Sequence, residues 1–259
     1  MTDPAPLSTT EPPVLEGSAP APDDAHRAAV RLVAAAEVVL CSGIPTQVVL
    51  GTFLAFLGLG GSPQSDVPGL PFLSGLLLAD TVALISLMVW LMRLHGESPR
   101  QLWLGTRPVV RESLLGVALV PVIFLAVVVL LNTLRLVAPW LHNVPSNPFE
   151  EIASGSRTDA AIFGVVAILA GGVREELQRA FLLRRFEQHL GGPIVGVAVL
   201  SIGFGLGHYV QGWDAIITTG ALGFLWAVMY LRRRSSLAPL VSHAGFNSIE
   251  VLRVAIFGA

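Results

Sequence analysis

Three short stretches in the C-terminal half of the chain carry side chains that could hydrolyse a bond inside an apolar protein. They are Glu175, Glu176 and Arg179, then Phe204 and His208, and then His243 and Asn247. A glutamate can deprotonate water, a histidine can orient that water or hold a metal ion, and an asparagine amide can stabilise an oxyanion. Because hydrolysis requires these groups to converge, the three stretches together predict one hydrolytic site.

The acidic stretch leaves its internal pairing open. On a helix, Arg179 lies four residues after Glu175 and three after Glu176, so it can pair with either acid. Such a pair would hold one carboxylate ionised and leave the other free to act. The alternative is a span that ends near Gly172, followed by an interfacial salt-bridge cluster. The apolar run from Ala180 to Leu183 favours acids inside the helix, because the hydrophobic pattern resumes after them.

Composition indicates what kind of protein must position these side chains. The 259 residues are 53% hydrophobic and only 13% charged, with a mean hydropathy of +0.69. A soluble domain carries about 25% charged residues, so a soluble fold is excluded and the lipid bilayer is the expected partner. The net charge of −2 provides no basic field, and P-loop and zinc-finger spacings are absent, so nucleic acid is not an expected partner.

The apolar runs predict an all-α, polytopic transmembrane helix bundle with about seven spans, since each run is long enough for a helix that crosses the bilayer. The predicted spans cover residues 38–59, 70–91, 113–134, 160 to the acidic stretch, 193–209, 215–231, and 237 to the C-terminal end. Residues 1–26 are rich in proline, alanine and acids, which predicts a disordered tail. Residues 27–259 form the predicted multi-pass membrane domain.

Arginine placement predicts the orientation of this bundle, because cytoplasmic loops retain excess basic residues. With seven spans, one face collects eleven of the sixteen arginines, namely Arg27, Arg31, Arg93, Arg100, Arg107, Arg111, Arg184, Arg185, Arg232, Arg233 and Arg234. We therefore expect a protein of the cytoplasmic membrane with a cytoplasmic N-terminus.

The series Glu-Glu-x-x-Arg, Phe-x-x-x-His and His-x-x-x-Asn resembles the motifs of the CAAX protease and bacteriocin-processing (CPBP, or ABI) family, which includes the type II CAAX prenyl endopeptidases. The resemblance covers residues 160–255, the expected catalytic core. It implies an intramembrane endopeptidase that cleaves a peptide or protein substrate in a water-filled cavity between helices. The first motif departs from the family pattern, because two residues, Leu177 and Gln178, stand where the family has three.

The resemblance also implies a role for each motif residue. Glu175 is the general base, His208 positions the water, His243 and Asn247 stabilise the oxyanion, and Arg179 and Glu176 orient Glu175. Anchoring the motif on its acids assigns the base to Glu175. Anchoring it on Arg179 places Glu175 at the position of the second family glutamate and Arg174 at the position of the first. The two alignments disagree, and Glu176 therefore stays the alternative base.

Zinc and two other functions remain open at this stage. Glu175, His208 and His243 are candidate zinc ligands, but the chain has no His-Glu-x-x-His helix, so the sequence permits zinc without requiring any cofactor. The same polar residues could serve a non-catalytic membrane module that binds a peptide or scaffolds a partner. They could also form the proton relay of a small transporter, although no inverted repeat of broken helices supports that function.

Overall fold

The computed structural model describes residues 24–59, 69–145 and 147–258, and over these ranges it contains helices and no strand. This confirms the all-α prediction. The predicted tail falls mostly on residues 1–23, which lie outside the described residues. Its last three residues are described, and they already belong to the first helix, which begins at Asp24.

Eleven α-helices follow one another through the described ranges. They are α1 (Asp24–Leu40), α2 (Ile44–Phe56), α3 (Leu70–Leu94), α4 (Pro99–Leu104), α5 (Val109–Val137), α6 (Pro148–Ser154), α7 (Arg157–Val166), α8 (Glu175–His189), α9 (Pro193–Leu206), α10 (Trp213–Arg233) and α11 (Leu237–Phe257). A π-helical segment, Ala167–Arg174, joins α7 to α8, so residues 157–189 form one continuous helical rod.

Fewer helices meet the requirements for crossing a membrane than the seven predicted. In the described part of the chain, α3, α5, α10 and α11 are long and apolar enough, and α1 with α2, joined at a bend of 41°, would be a fifth span. Helix α9 has 14 residues, or about 21 Å at 1.5 Å per residue, which is shorter than the hydrocarbon core. Helix α8 carries the acidic stretch and two further arginines, so its composition resembles that of a soluble helix.

Apolar packing places α8 in the interior of the bundle. Phe181 of α8 is fully buried with Leu84 and Met88 of α3. On another side of the bundle, Trp226 of α10 is fully buried beside Ile123 of α5. The charged start of α8 is therefore surrounded by apolar helices, and large apolar side chains elsewhere, such as Val117 and Phe224, remain exposed as expected for contact with lipid.

Two glycines let α11 approach the π-helical segment closely. A Cβ atom at Gly172 would lie 2.6 Å from the Cβ of Ala244, and one at Gly171 would lie 2.4 Å from Nδ2 of Asn247. The Asn247 amide donates a hydrogen bond of 3.1 Å to the Ala167 carbonyl. π-helical turns are rare and often occur at functional sites. Here the segment ends directly before Glu175.

This contact predicts opposite effects for two glycine-to-alanine changes. Gly172→Ala should lower the free energy of unfolding by about 1–3 kcal/mol, because the new methyl group meets Ala244. Gly203→Ala on α9 is the matched control, since nothing lies within 4 Å of its Cβ position and the better helix propensity of alanine should leave it neutral or stabilised by up to about 1 kcal/mol. Thermal unfolding in detergent measures both, and equal effects would contradict the close approach.

Candidate active site

The two glutamates of the acidic stretch lie in different environments. Both are in the first turn of α8, where successive side chains point about 100° apart. The Glu176 side chain is only 1% exposed, whereas that of Glu175 is 21% exposed. One acid is therefore enclosed and the other is partly accessible.

Arg179 pairs with Glu176, which decides between the two pairings that the sequence allowed. Its Nε and Nη2 atoms each donate a hydrogen bond of 3.2 Å to a different carboxylate oxygen of Glu176. The guanidinium carbon also lies 4.7 Å from the centre of the Phe204 ring. A two-pronged pair of this kind compensates both buried charges, and it leaves Glu175 outside the pair.

His243 completes the enclosure of Glu176. Its Nδ1 atom lies 2.9 Å from a Glu176 oxygen. Its Nε2 atom lies 3.9 Å from Oε2 of Glu175, the outer oxygen of that carboxylate. Because a carboxylate only accepts hydrogen bonds, Nδ1 carries a proton and Nε2 is the atom available to other groups. The resemblance implied that Glu176 and Arg179 orient Glu175. In the structure Arg179 binds Glu176, and Glu176 binds His243. Among the described residues, the Glu175 side chain lies beside Arg174 and His243.

The imidazole of His243 is held flat by an aromatic side chain that the sequence did not single out. The Trp226 ring stacks on it, with ring centres 3.8 Å apart and planes 14° apart. The Trp226 indole nitrogen donates to the Ser242 hydroxyl at 3.1 Å, which keeps the indole in place. No spacing rule could have found Trp226, because it lies on α10, a helix that carries no motif residue.

His208 lies just beyond a helix and not inside one. The predicted span of residues 193–209 ends at Leu206, and His208 begins the connection to α10. Gly203, Gly205 and Gly207 lower the helix propensity of this stretch, which explains the earlier end. The Nδ1 atom of His208 donates to the Phe204 carbonyl at 2.8 Å, so the neutral ring presents a free Nε2.

The three motifs meet around the Phe204 ring. Its centre lies 4.9 Å from that of His208, 6.0 Å from that of His243 and 6.2 Å from that of Trp226. Asn247 lies one turn beyond His243 on the same helix, and one of its two amide hydrogens is used by the Ala167 carbonyl. The structure thus brings the acidic stretch, Phe204 with His208, and His243 with Asn247 to one region of the bundle interior.

The candidate zinc ligands do not form a metal site. Within residues 24–59, 69–145 and 147–258, no group of three or more His, Cys, Asp or Glu side chains has a geometry that could hold a metal ion. Glu175, His208 and His243 therefore do not fit a zinc ion here, and no chemical step is assigned to one.

Comparison with known proteins gives one family. Residues 157–249 match the family described as "Type II CAAX prenyl endopeptidase Rce1-like". The matched range covers the helical rod from α7 through α8 and almost all of the predicted core of residues 160–255, and it confirms the resemblance. No curated protein and no solved structure matches the chain.

The enclosed pair predicts a large loss of stability when one partner is removed. Arg179→Met should lower the free energy of unfolding by about 3–5 kcal/mol, because it leaves the Glu176 charge buried without its guanidinium partner. Adding Glu176→Gln should restore most of this loss, since glutamine removes the charge and can still bond to His243. Thermal unfolding of the wild type and the two variants measures both steps. A double variant as unstable as Arg179→Met would mean that packing on Phe204, and not charge, is what Arg179 supplies.

Proposed function

We propose that the protein is an intramembrane endopeptidase that uses Glu175 to activate water. The match of residues 157–249 to the Rce1-like type II CAAX prenyl endopeptidases supports a protease, and the apolar helices support a multi-pass membrane protein. The proposal extends these statements to the mechanism and the residues that perform it.

The observation that carries the mechanism is the position of Glu175 opposite His243. Its outer oxygen is 3.9 Å from Nε2, which is too far for a direct hydrogen bond yet close enough for one water molecule to bond to both atoms. Glu176 cannot take this role, because Arg179 and His243 occupy its oxygens. This favours Glu175 over Glu176 as the base.

In the proposed reaction Glu175 takes a proton from the water, and the resulting hydroxide attacks the carbonyl carbon of the scissile peptide bond. The tetrahedral intermediate then collapses, the C–N bond breaks, and the proton held by Glu175 passes to the leaving amine. His208 positions the water through its free Nε2, because its Nδ1 is committed to the Phe204 carbonyl.

His243 and Asn247 are the proposed oxyanion donors. When His243 carries a proton on both nitrogens, Nδ1 donates to Glu176 and Nε2 donates to the oxyanion. The Glu176 carboxylate stabilises this charged imidazole in the same way that a carboxylate supports the histidine of a hydrolytic triad. Asn247 supplies the amide hydrogen that the Ala167 carbonyl does not use. In this scheme Glu176 and Arg179 act through His243.

We further propose that the N-terminus is cytoplasmic and that the substrate is a peptide or protein tethered to the cytoplasmic membrane. The arginine distribution supports the orientation. A substrate held in the bilayer can reach a site enclosed by apolar helices from within the membrane. Its binding therefore does not require a wide opening to bulk water.

The mechanism predicts loss of cleavage when either water-binding group is removed. Glu175→Gln and His208→Ala should each lower kcat by about 10²–10⁴-fold on a panel of membrane-tethered peptides, because proton transfer or water positioning is lost. Glu250→Gln is the matched control, since this acid lies on α11 one turn beyond Asn247 and pairs with Arg253. Unchanged cleavage by a folded Glu175→Gln variant would overturn the mechanism.

The orientation predicts which end of α5 faces the cytoplasm. Val110 and Trp140 are 71% and 73% exposed near its two ends, and the single native cysteine, Cys41, is buried. In sealed inside-out vesicles, a membrane-impermeant maleimide should label Val110→Cys and should not label Trp140→Cys. The reverse pattern would place the N-terminus on the other side.

A further inference from the structure

A second arginine, Arg174, contacts the accessible glutamate. It is the last residue of the π-helical segment and is 5% exposed. Its Nη2 atom donates to Oε1 of Glu175, the inner oxygen, at 3.2 Å. Its Nη1 atom donates to the side-chain oxygen of Gln178 at 3.1 Å. Arg174 therefore binds one oxygen of Glu175 and leaves the other oxygen directed toward His243.

The other anionic partner of Arg174 comes from α3, outside the residues that match the family. The Asp80 carboxylate is completely buried, and one of its oxygens lies 3.4 Å from Nη1 of Arg174. Thr46 and Gln47 of α2 both donate hydrogen bonds to Asp80, that of Gln47 at 3.1 Å. These contacts hold the carboxylate in one position beside the guanidinium.

The bend between α1 and α2 packs against the Arg174 guanidinium. Gly43 adopts a left-handed conformation with φ of 91°, and a Cβ atom there would lie 3.4 Å from Nη1 of Arg174. Beside it, the Gln178 amide donates to the Cys41 carbonyl at 2.6 Å. The guanidinium is thus surrounded by residues of three separate parts of the chain, and it has little freedom to rotate.

We propose that Asp80 and Arg174 are positioning residues for Glu175. Arg174 holds the inner oxygen of Glu175, and Asp80 holds Arg174 so that its two-pronged guanidinium cannot close on both oxygens of Glu175. The outer oxygen consequently stays directed at Nε2 of His243, where the proposed reaction needs it. The inference rests on the proposed function for its catalytic consequence, and on the contacts alone for the position of Glu175.

The kinetic test compares Asp80→Asn, Arg174→Gln, Arg174→Lys and the combination of Asp80→Asn with Arg174→Gln in the full-length protein. Each of the first two should lower kcat by up to about 100-fold with little change in KM, because small displacements of a catalytic group cost this much. Arg174→Lys should recover part of the loss. The combination should be no worse than Arg174→Gln, since Asp80 acts through Arg174. Additive losses, or a change confined to KM, would overturn the proposal.

Thr81→Val is the matched control for Asp80→Asn. Thr81 is the next residue on α3 and is also buried, and among the described residues its hydroxyl bonds to the Leu77 carbonyl of its own helix. Its replacement should leave kcat unchanged. Thermal unfolding of every variant separates kinetic losses from a failure to fold.

A second measurement needs no catalytic activity. A hydrophobic carbodiimide reacts with protonated carboxyl groups, and mass spectrometry locates the product at Glu175. Arg174→Gln should speed this labelling by about tenfold or more, because the guanidinium that binds the Glu175 carboxylate is gone. Asp80→Asn should slow it, because Arg174 then has Glu175 as its sole carboxylate partner.

Labelling rates that change in opposite directions in the two variants would indicate that Arg174 and Asp80 position Glu175. A general loosening of the bundle would instead speed labelling in both variants. Equal directions or no change would overturn the inference whether or not the protein cleaves any peptide. The predicted labelling pattern without cleavage by the wild type would overturn the proposed endopeptidase function and leave the positioning of Glu175 standing.

Discussion

The placement of the Glu176 carboxylate between Arg179 and His243 is the constraint on which the rest of the site depends. A carboxylate that is 1% exposed in an apolar bundle is stable only when its charge is matched and its oxygens are bonded. Arg179 supplies the charge and hydrogen bonds to both oxygens, and His243 supplies a further hydrogen bond. The same bonds fix the tautomer of His243 and therefore direct its Nε2 toward Glu175.

The backbone makes this interaction attainable. The π-helical segment brings two adjacent glycines against α11, and their missing side chains allow Ala244 and Asn247 to approach the rod. Helix α11 thereby places His243 beside Glu176. Trp226 of α10 stacks on the imidazole ring of His243. The position of His243 thus depends on three contacts: the backbone contact of α11 with the π-helical segment, the stacking of Trp226 from α10, and the hydrogen bond to Glu176 of α8.

Much of this arrangement was predictable because it depends on local pattern. Long apolar runs indicated helices that match α3, α5, α10 and α11, and the spacing of charged, histidine and asparagine residues indicated the family. The predicted number of about seven spans is not confirmed, since four described helices, or five with the bent pair, are long and apolar enough. Hydropathy windows do not detect a helix stop, as at Gly207 after the short α9. Trp226 and the contact of Asp80 with Arg174 were not predictable, since each joins helices that are distant in the sequence.

The amino-acid sequence by itself determined that the chain is helical and suited to a membrane, that its motifs resemble this family, and which side chains could perform hydrolysis. Composition, periodicity and motif spacing are local properties. Only the tertiary structure decided what each acid contacts. Helical spacing lets Arg179 reach Glu175 or Glu176 equally well, and the choice follows from where α11 and α3 place His243 and Asp80. Those positions are set by packing between helices, so Glu176 is enclosed and Glu175 remains partly exposed.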